Sequence, residues 1–108
     1  MSFKLKIKKT DRAVILVLSG DITGGSVGKI SAKLESIQKI HEGTIAIDLS
    51  ETTFIDSHGL GVFVFFYRRF SEVNRKLVFL KPSDFILDLF SGSNLVKIFT
   101  IVNSEDDL

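Results

Sequence analysis

Two stretches decide how this chain is read: Ile45-Ala46-Ile47-Asp48-Leu49-Ser50 and Phe54-Ile55-Asp56-Ser57-His58-Gly59-Leu60-Gly61. The first is an apolar strand. The second leaves the core at an aspartate, passes two glycines and enters a long apolar helix. That order sets the Ser57 hydroxyl at a helix N-terminus, where a negative charge is best tolerated. Gly59 and Gly61 fall in the first turn, where glycine is costly. They make sense where the turn is tight or where another backbone must approach closely. Ser57 as a plain N-cap is the bland reading. As a modified residue, it would carry a phosphate held by backbone N–H groups.

The chain reads outward from there as alternating strands and helices. Thr44 to Leu49 forms one buried strand, and Ser50-Glu51-Thr52-Thr53 is a polar connection before Phe54 and Ile55 return to the core. Upstream, Ala13 to Leu18 is continuously apolar, a buried strand ended by Gly20. Val27, Ile30, Leu34, Ile37 and His41 repeat at three and four, which predicts a helix over Ser26 to Ile40 with one apolar stripe. His41-Glu42-Gly43 closes that helix, and His41 reads as a cap residue in preference to a metal ligand. Gly24-Gly25 reads as a flexible turn. Downstream, Lys76 to Leu80 is a strand, Pro82-Ser83-Asp84 starts a short helix, and Gly92 ends it. Leu95 to Val102 predicts a last strand. Asn103 to Leu108 is acidic and expected to fray. Such alternation argues an α/β sandwich with a largely parallel or mixed sheet.

Phe3, Leu5 and Ile7 alternate with Lys4, Lys6 and Lys8 at the start. The lysines invite a nucleic-acid reading. An edge strand guarded by lysines explains them better, and the formal net charge is only +1. No partnership with nucleic acid is therefore expected. There is no cysteine, so disulfide and thiolate chemistry are excluded. The longest apolar run, Val62 to Tyr67, is too short to span a bilayer. The chain is expected to be a single cytoplasmic domain over residues 1–108, with no membrane contact.

Asp56, Ser57 and His58 are adjacent, but adjacent residues cannot orient nucleophile, base and acid in a relay. Ile55 stands where a G-x-S-x-G elbow needs glycine. No metal cluster, cofactor motif or convergent acid–base set is visible, so catalysis is not expected. The helix behind Ser57 has no polar face from Val62 to Tyr67. Such a helix lies under other elements or offers a patch for a partner or a second copy, as in a weak homodimer.

Residues 45–50 and 54–61 together resemble the core of the STAS domain and, within it, the bacterial anti-sigma factor antagonists. Gly20-Asp21-Ile22 is similar to that family's first glycine turn, and the later elements follow in its order. The resemblance implies a mixed sheet of about five strands with helices packed on one face. It also implies that Ser57 is a phosphoacceptor in a partner switch. Unphosphorylated, such a protein binds a GHKL-type serine kinase that doubles as an anti-sigma factor; a PP2C-type phosphatase resets the switch. Asp21, Thr23, Asp56, His58, Gly59 and Gly61 would form the partner-binding surface. The chain departs from the family pattern at His58, where a small hydroxyl residue is usual, and at Thr23, where an acid is common. A non-switched STAS scaffold, serving a stress-signalling or transport complex, is the alternative.

Overall fold

The computed structural model describes residues 2–108. Within them the elements are β1 (Lys4–Lys9), β2 (Ala13–Ile22), α1 (Val27–Ile40), β3 (Thr44–Asp48), β4 (Thr52–Ile55), α2 (Ser57–Glu72), β5 (Leu77–Leu80), α3 (Asp84–Gly92) and β6 (Ile101–Val102). Short 3-10 turns cover Leu95–Lys97 and Glu105–Asp107. The strands run β1-β2-β3-β5-β6, and β4 pairs with the far end of β2. β1 is antiparallel to β2; the other pairings are parallel.

The register sorts the side chains. Leu5 lies opposite Leu18 and Ile7 opposite Leu16, while Lys6 and Lys8 lie opposite Val17 and Ile15. Partners across a ladder share a face. One face therefore carries Val14, Leu16, Leu18, Ile45, Ile47 and Phe79, and all three helices pack on it through Ile30, Leu34, Phe63, Phe66, Ile86 and Phe90. The other face carries Ala13, Ile15, Val17, Ala46, Val78 and Leu80, with Val102 and Leu108 packed against it. The expected mixed sheet with helices on one face is what the chain forms.

The sheet has six strands where the sequence suggested about five. The polar link before Phe54 is itself partly strand: Thr52 is buried, and its hydroxyl donates to the Leu18 carbonyl at 2.7 Å. A threonine that satisfies a buried carbonyl serves a strand as well as a loop. β2 runs past Gly20 to Ile22 through an irregularity between Gly20 and Asp21. Gly20 has φ +88°, and a Cβ there would collide with the Ser2 carbonyl, so glycine lets the strand kink and continue where the sequence suggested an end. Phe54 does not return to the core. It is 39% exposed and sits 6.4 Å from the exposed ring of Phe85, while Thr52 and Ile55 are the buried residues of β4.

Two further expectations fail near the C-terminus. Leu95 to Val102 is not one strand, because Leu95 and Phe99 are both buried, four residues apart, and the Phe99 N–H bonds to the Leu95 carbonyl at 2.8 Å. That spacing suits a turn of helix, leaving only Ile101–Val102 to pair with β5. Residues 103–108 are not frayed. Ser104 caps the Glu105–Asp107 turn, Lys8 reaches Glu105 at 2.9 Å, the Arg12 guanidinium donates to the Asp106 carbonyl, and Leu108 packs on the second face. Acidic composition predicted solvation; Lys8 of β1 and Lys81 supply the countercharge to Glu105, and Arg12 holds the backbone of the segment.

Candidate functional site

α2 begins where β4 ends, and its first residues meet the turn between β2 and α1. Asp56 caps the helix: its Oδ1 accepts the Gly59 N–H at 2.9 Å. Its Oδ2 accepts the Gly24 N–H at 3.1 Å, and its own N–H bonds to the Ile22 carbonyl at 2.9 Å. The capping role falls to the aspartate, so the plain N-cap reading of Ser57 does not hold. Ser57 is the first helical residue and is exposed. Its N–H and that of His58 lie at the open end of the helix, ahead of the first intrahelical bond from Leu60 to Asp56.

The Asp56 carboxyl is held below its ordinary value. The Gly59 N–H is the main cause, with the Gly24 N–H and the neighbouring His58 adding to it against partial burial. His58 Nδ1 stands 3.6 Å from Asp56 Oδ2, and its exposed ring packs over Gly24. Thus the imidazole bridges the same two segments as the carboxylate.

The β2–α1 turn is built, not loose. The Ser26 hydroxyl is buried; it accepts the Thr23 N–H at 2.9 Å and donates to the Thr23 carbonyl at 3.0 Å. Thr23 itself is exposed. Asp21, half-buried at the end of β2, accepts the Thr53 hydroxyl at 2.6 Å, and that bond chiefly lowers its carboxyl pKa. Asp21, Thr23, Asp56, Ser57 and His58 therefore gather at one end of the sheet, contributed by β2, its following turn and the start of α2.

Gly59 leaves that group. It is buried, and a Cβ there would lie 2.8 Å from methyl groups of both Ile22 and Ile55. Its close approach is to the protein's own core, not to a partner. Gly61 is different: it is exposed, and nothing lies within 4 Å of where its Cβ would be. The apolar helix resolves in the same way. Phe63, Phe66 and Phe70 are buried, Val62, Val64 and Tyr67 are half-buried, and Phe65 is 56% exposed. The helix is therefore largely covered, with one aromatic ring left outside. No described helix is long and apolar enough to cross a membrane, and no group of described side chains is placed to hold a metal ion.

A strand ending at a capping aspartate, an exposed serine opening the next helix and a tied glycine turn opposite it make one compact unit. The STAS domain model matches residues 4–108. The chain belongs to the STAS domain family. It is 33% identical over 109 residues to an anti-sigma-B factor antagonist of Listeria monocytogenes, an alignment covering all of this chain and 94% of that protein. Among solved structures it resembles the cell fate determinant SpoIIAA of Bacillus in its phosphorylated form. That match has a TM-score of 0.71 and 25% identity, covering 98% of this chain and 96% of the other. A Thermotoga maritima protein described as a putative anti-sigma factor antagonist superposes with a TM-score of 0.85 at 22% identity, covering 95% and 89%. The last likeness concerns the fold alone.

Proposed function

We propose that this STAS protein is an anti-sigma factor antagonist switched by phosphorylation of Ser57. Unmodified, it binds a GHKL-type serine kinase that is also an anti-sigma factor, and so frees the sigma factor. The kinase transfers the γ-phosphoryl of ATP to the Ser57 oxygen, the hydroxyl proton leaves, and ADP departs. The modified protein no longer binds. A PP2C-type phosphatase hydrolyses the phosphoserine and restores the first state.

The observation that carries this reading is the exposure of Ser57 at the open end of α2 while Asp56 does the capping. The hydroxyl is available, and its loss to phosphate breaks no cap. A phosphate there carries about −1.5 to −2 charge at neutral pH and faces the helix N-terminus, so the fold tolerates it. A partner surface does not: the dianion must be desolvated on binding, and any carboxylate facing it adds repulsion. The name of the Listeria relative and the existence of a phosphorylated SpoIIAA support the same reading.

Incubation with the cognate kinase and ATP tests it. Phosphate is expected on Ser57, and none on a Ser57→Ala variant. A chain that binds the kinase and frees the sigma factor without ever being phosphorylated would be a non-switched module.

A further inference from the structure

Two lysines of α1 stand where helix chemistry disfavours them. The first turn carries Lys29 and no acidic residue, so a positive charge stands at the positive end of the helix dipole. Lys33 follows four residues later, a like-charge spacing that destabilises a helix. Neither lysine is in an ion pair among the described residues. The other charges of α1 are well placed: Lys39 lies in the last turn, and Glu35 is paired with Arg69 at 3.6 Å. Breaches of a local rule concentrate at functional sites.

Both lysines line the same cleft. Lys29, exposed Ala32 and half-buried Lys33 form one wall; Phe3, just ahead of β1, and Leu5 within it form the other, around a volume of about 440 Å³. Phe3 and Leu5 are half-buried and pack on the core, which fixes the apolar wall. Every charged residue of the lining is a lysine. Asp21 belongs to an adjoining hollow that shares Phe3 and Lys29, and there its carboxylate accepts the Thr53 hydroxyl at 2.6 Å. Glu51 lies with Lys4 and Lys6 and accepts the Ser19 hydroxyl at 2.9 Å; Ser19 is the ladder partner of Lys4, so that group is on the opposite face of the sheet from Leu5. The cleft therefore holds two lysines and no carboxylate of its own.

The footprint decides the size of the ligand. Phe3 to Leu5 spans about 7 Å of strand, and Lys29 to Lys33 spans one helical turn, about 6 Å. A peptide segment would place only about two residues there, whereas the volume lies in the range of small-molecule sites, about 300–1,000 Å³. We propose that this cleft binds a small amphiphilic carboxylate. Its hydrocarbon chain lies along Phe3, Leu5 and Ala32, and its carboxylate is held between Lys29 and Lys33 by charge-assisted hydrogen bonds. The bound anion resolves both conflicts of α1 at once, since it faces the positive end of the helix and separates the two like charges. No residue of the Ser57 surface lines the cleft, so the site stands or falls independently of the switch.

Octanoate is the probe. Titrated into the isotope-labelled protein, it should give saturable amide shifts at Leu5, Ala32 and Lys33 with a Kd below about 1 mM. Octanol, which lacks the charge, and butyrate, which lacks the chain, should each bind at least about tenfold more weakly. Replacing both lysines, Lys29→Gln with Lys33→Gln, should weaken octanoate about tenfold or more. That variant should melt no lower than the wild type, because it removes charges that α1 tolerates poorly. Ala32→Phe fills the cleft from an exposed position and should abolish the shifts. Shifts that do not saturate, shifts confined to other residues, octanol binding as tightly as octanoate, or unchanged affinity after loss of both lysines would each overturn the proposal. Binding to vesicles of anionic phospholipid with none to octanoate would make the lysines a membrane contact and overturn it as well.

Discussion

The Oδ2 oxygen of Asp56 accepts the N–H of Gly24 at 3.1 Å, tying residues 32 positions apart. With its other oxygen on Gly59, one carboxylate both starts α2 and fastens the β2–α1 turn to it. The residue before Ser57 thus holds the start of α2 against the turn beside it.

Removing that carboxylate should loosen both segments at once. Asp56→Ala is expected to lower the melting temperature by several degrees through loss of the cap. It should also raise amide exchange at Gly24 and Gly59 together. Faster exchange at Gly59 alone would mean that the turn is held by Ser26 without help from Asp56.

Gly59 and Gly61 should respond to alanine in opposite directions. At Gly59 the added methyl meets Ile22 and Ile55 at 2.8 Å, and overpacking of this kind costs about 1–3 kcal/mol. At Gly61 it meets nothing, and the gain in helix propensity is about 0.5–1 kcal/mol. Urea unfolding of the two variants checks the pair. Equal effects would contradict the distinction between a core glycine and a surface one.

Acid should weaken the fold through a small set of carboxylates. Asp56 is held low by the Gly59 and Gly24 N–H groups, Asp21 by the Thr53 hydroxyl, and Glu105 by Lys8. Each has a lower pKa folded than unfolded. Its contribution is therefore complete above the unfolded value of about 4 and is lost as pH falls through the folded one. Stability should be flat from neutrality down to about pH 5 and fall below it. Asp56→Asn should shallow that fall when urea midpoints are measured against pH.

Deleting residues 104–108 should destabilise the chain by about 1–2 kcal/mol, mostly through uncovering the face on which Leu108 packs. Its ion pairs with Lys8 and Lys81 add little at the surface. A truncation with unchanged melting would mean that the tail is ornamental.

Much of this fold was legible because its signals were local. The alternation in β1, the stripe Ile30-Leu34-Ile37 and the Ser83 cap, which accepts the Ile86 N–H at 3.2 Å, each follow from neighbouring residues. Failures came where distant residues decide. Thr52 became strand because the Leu18 carbonyl needed a donor, and residues 104–108 were ordered by basic residues nearly a hundred positions away. At the site, the gathering of Asp21, Thr23, Asp56 and His58 around Ser57 was expected. Gly59 was assigned to the surface because its spacing from Gly61 says nothing about which glycine faces Ile22. The exposed Phe54–Phe85 pair was missed, since β4 buries Thr52 in preference to Phe54. A short strand whose threonine answers a carbonyl gives no apolar alternation to read.

The central claim is that Ser57 phosphate breaks a partner contact without disturbing the fold. The direct measurement is the affinity of the purified cognate kinase/anti-sigma factor for the unmodified and the Ser57-phosphorylated protein, each confirmed folded by its melting temperature. Near-equal melting and at least about tenfold weaker binding of the phosphorylated form are predicted. Equal affinity of the two forms, or kinase phosphate found on Ser50, Ser71 or Ser83 in place of Ser57, would contradict the account.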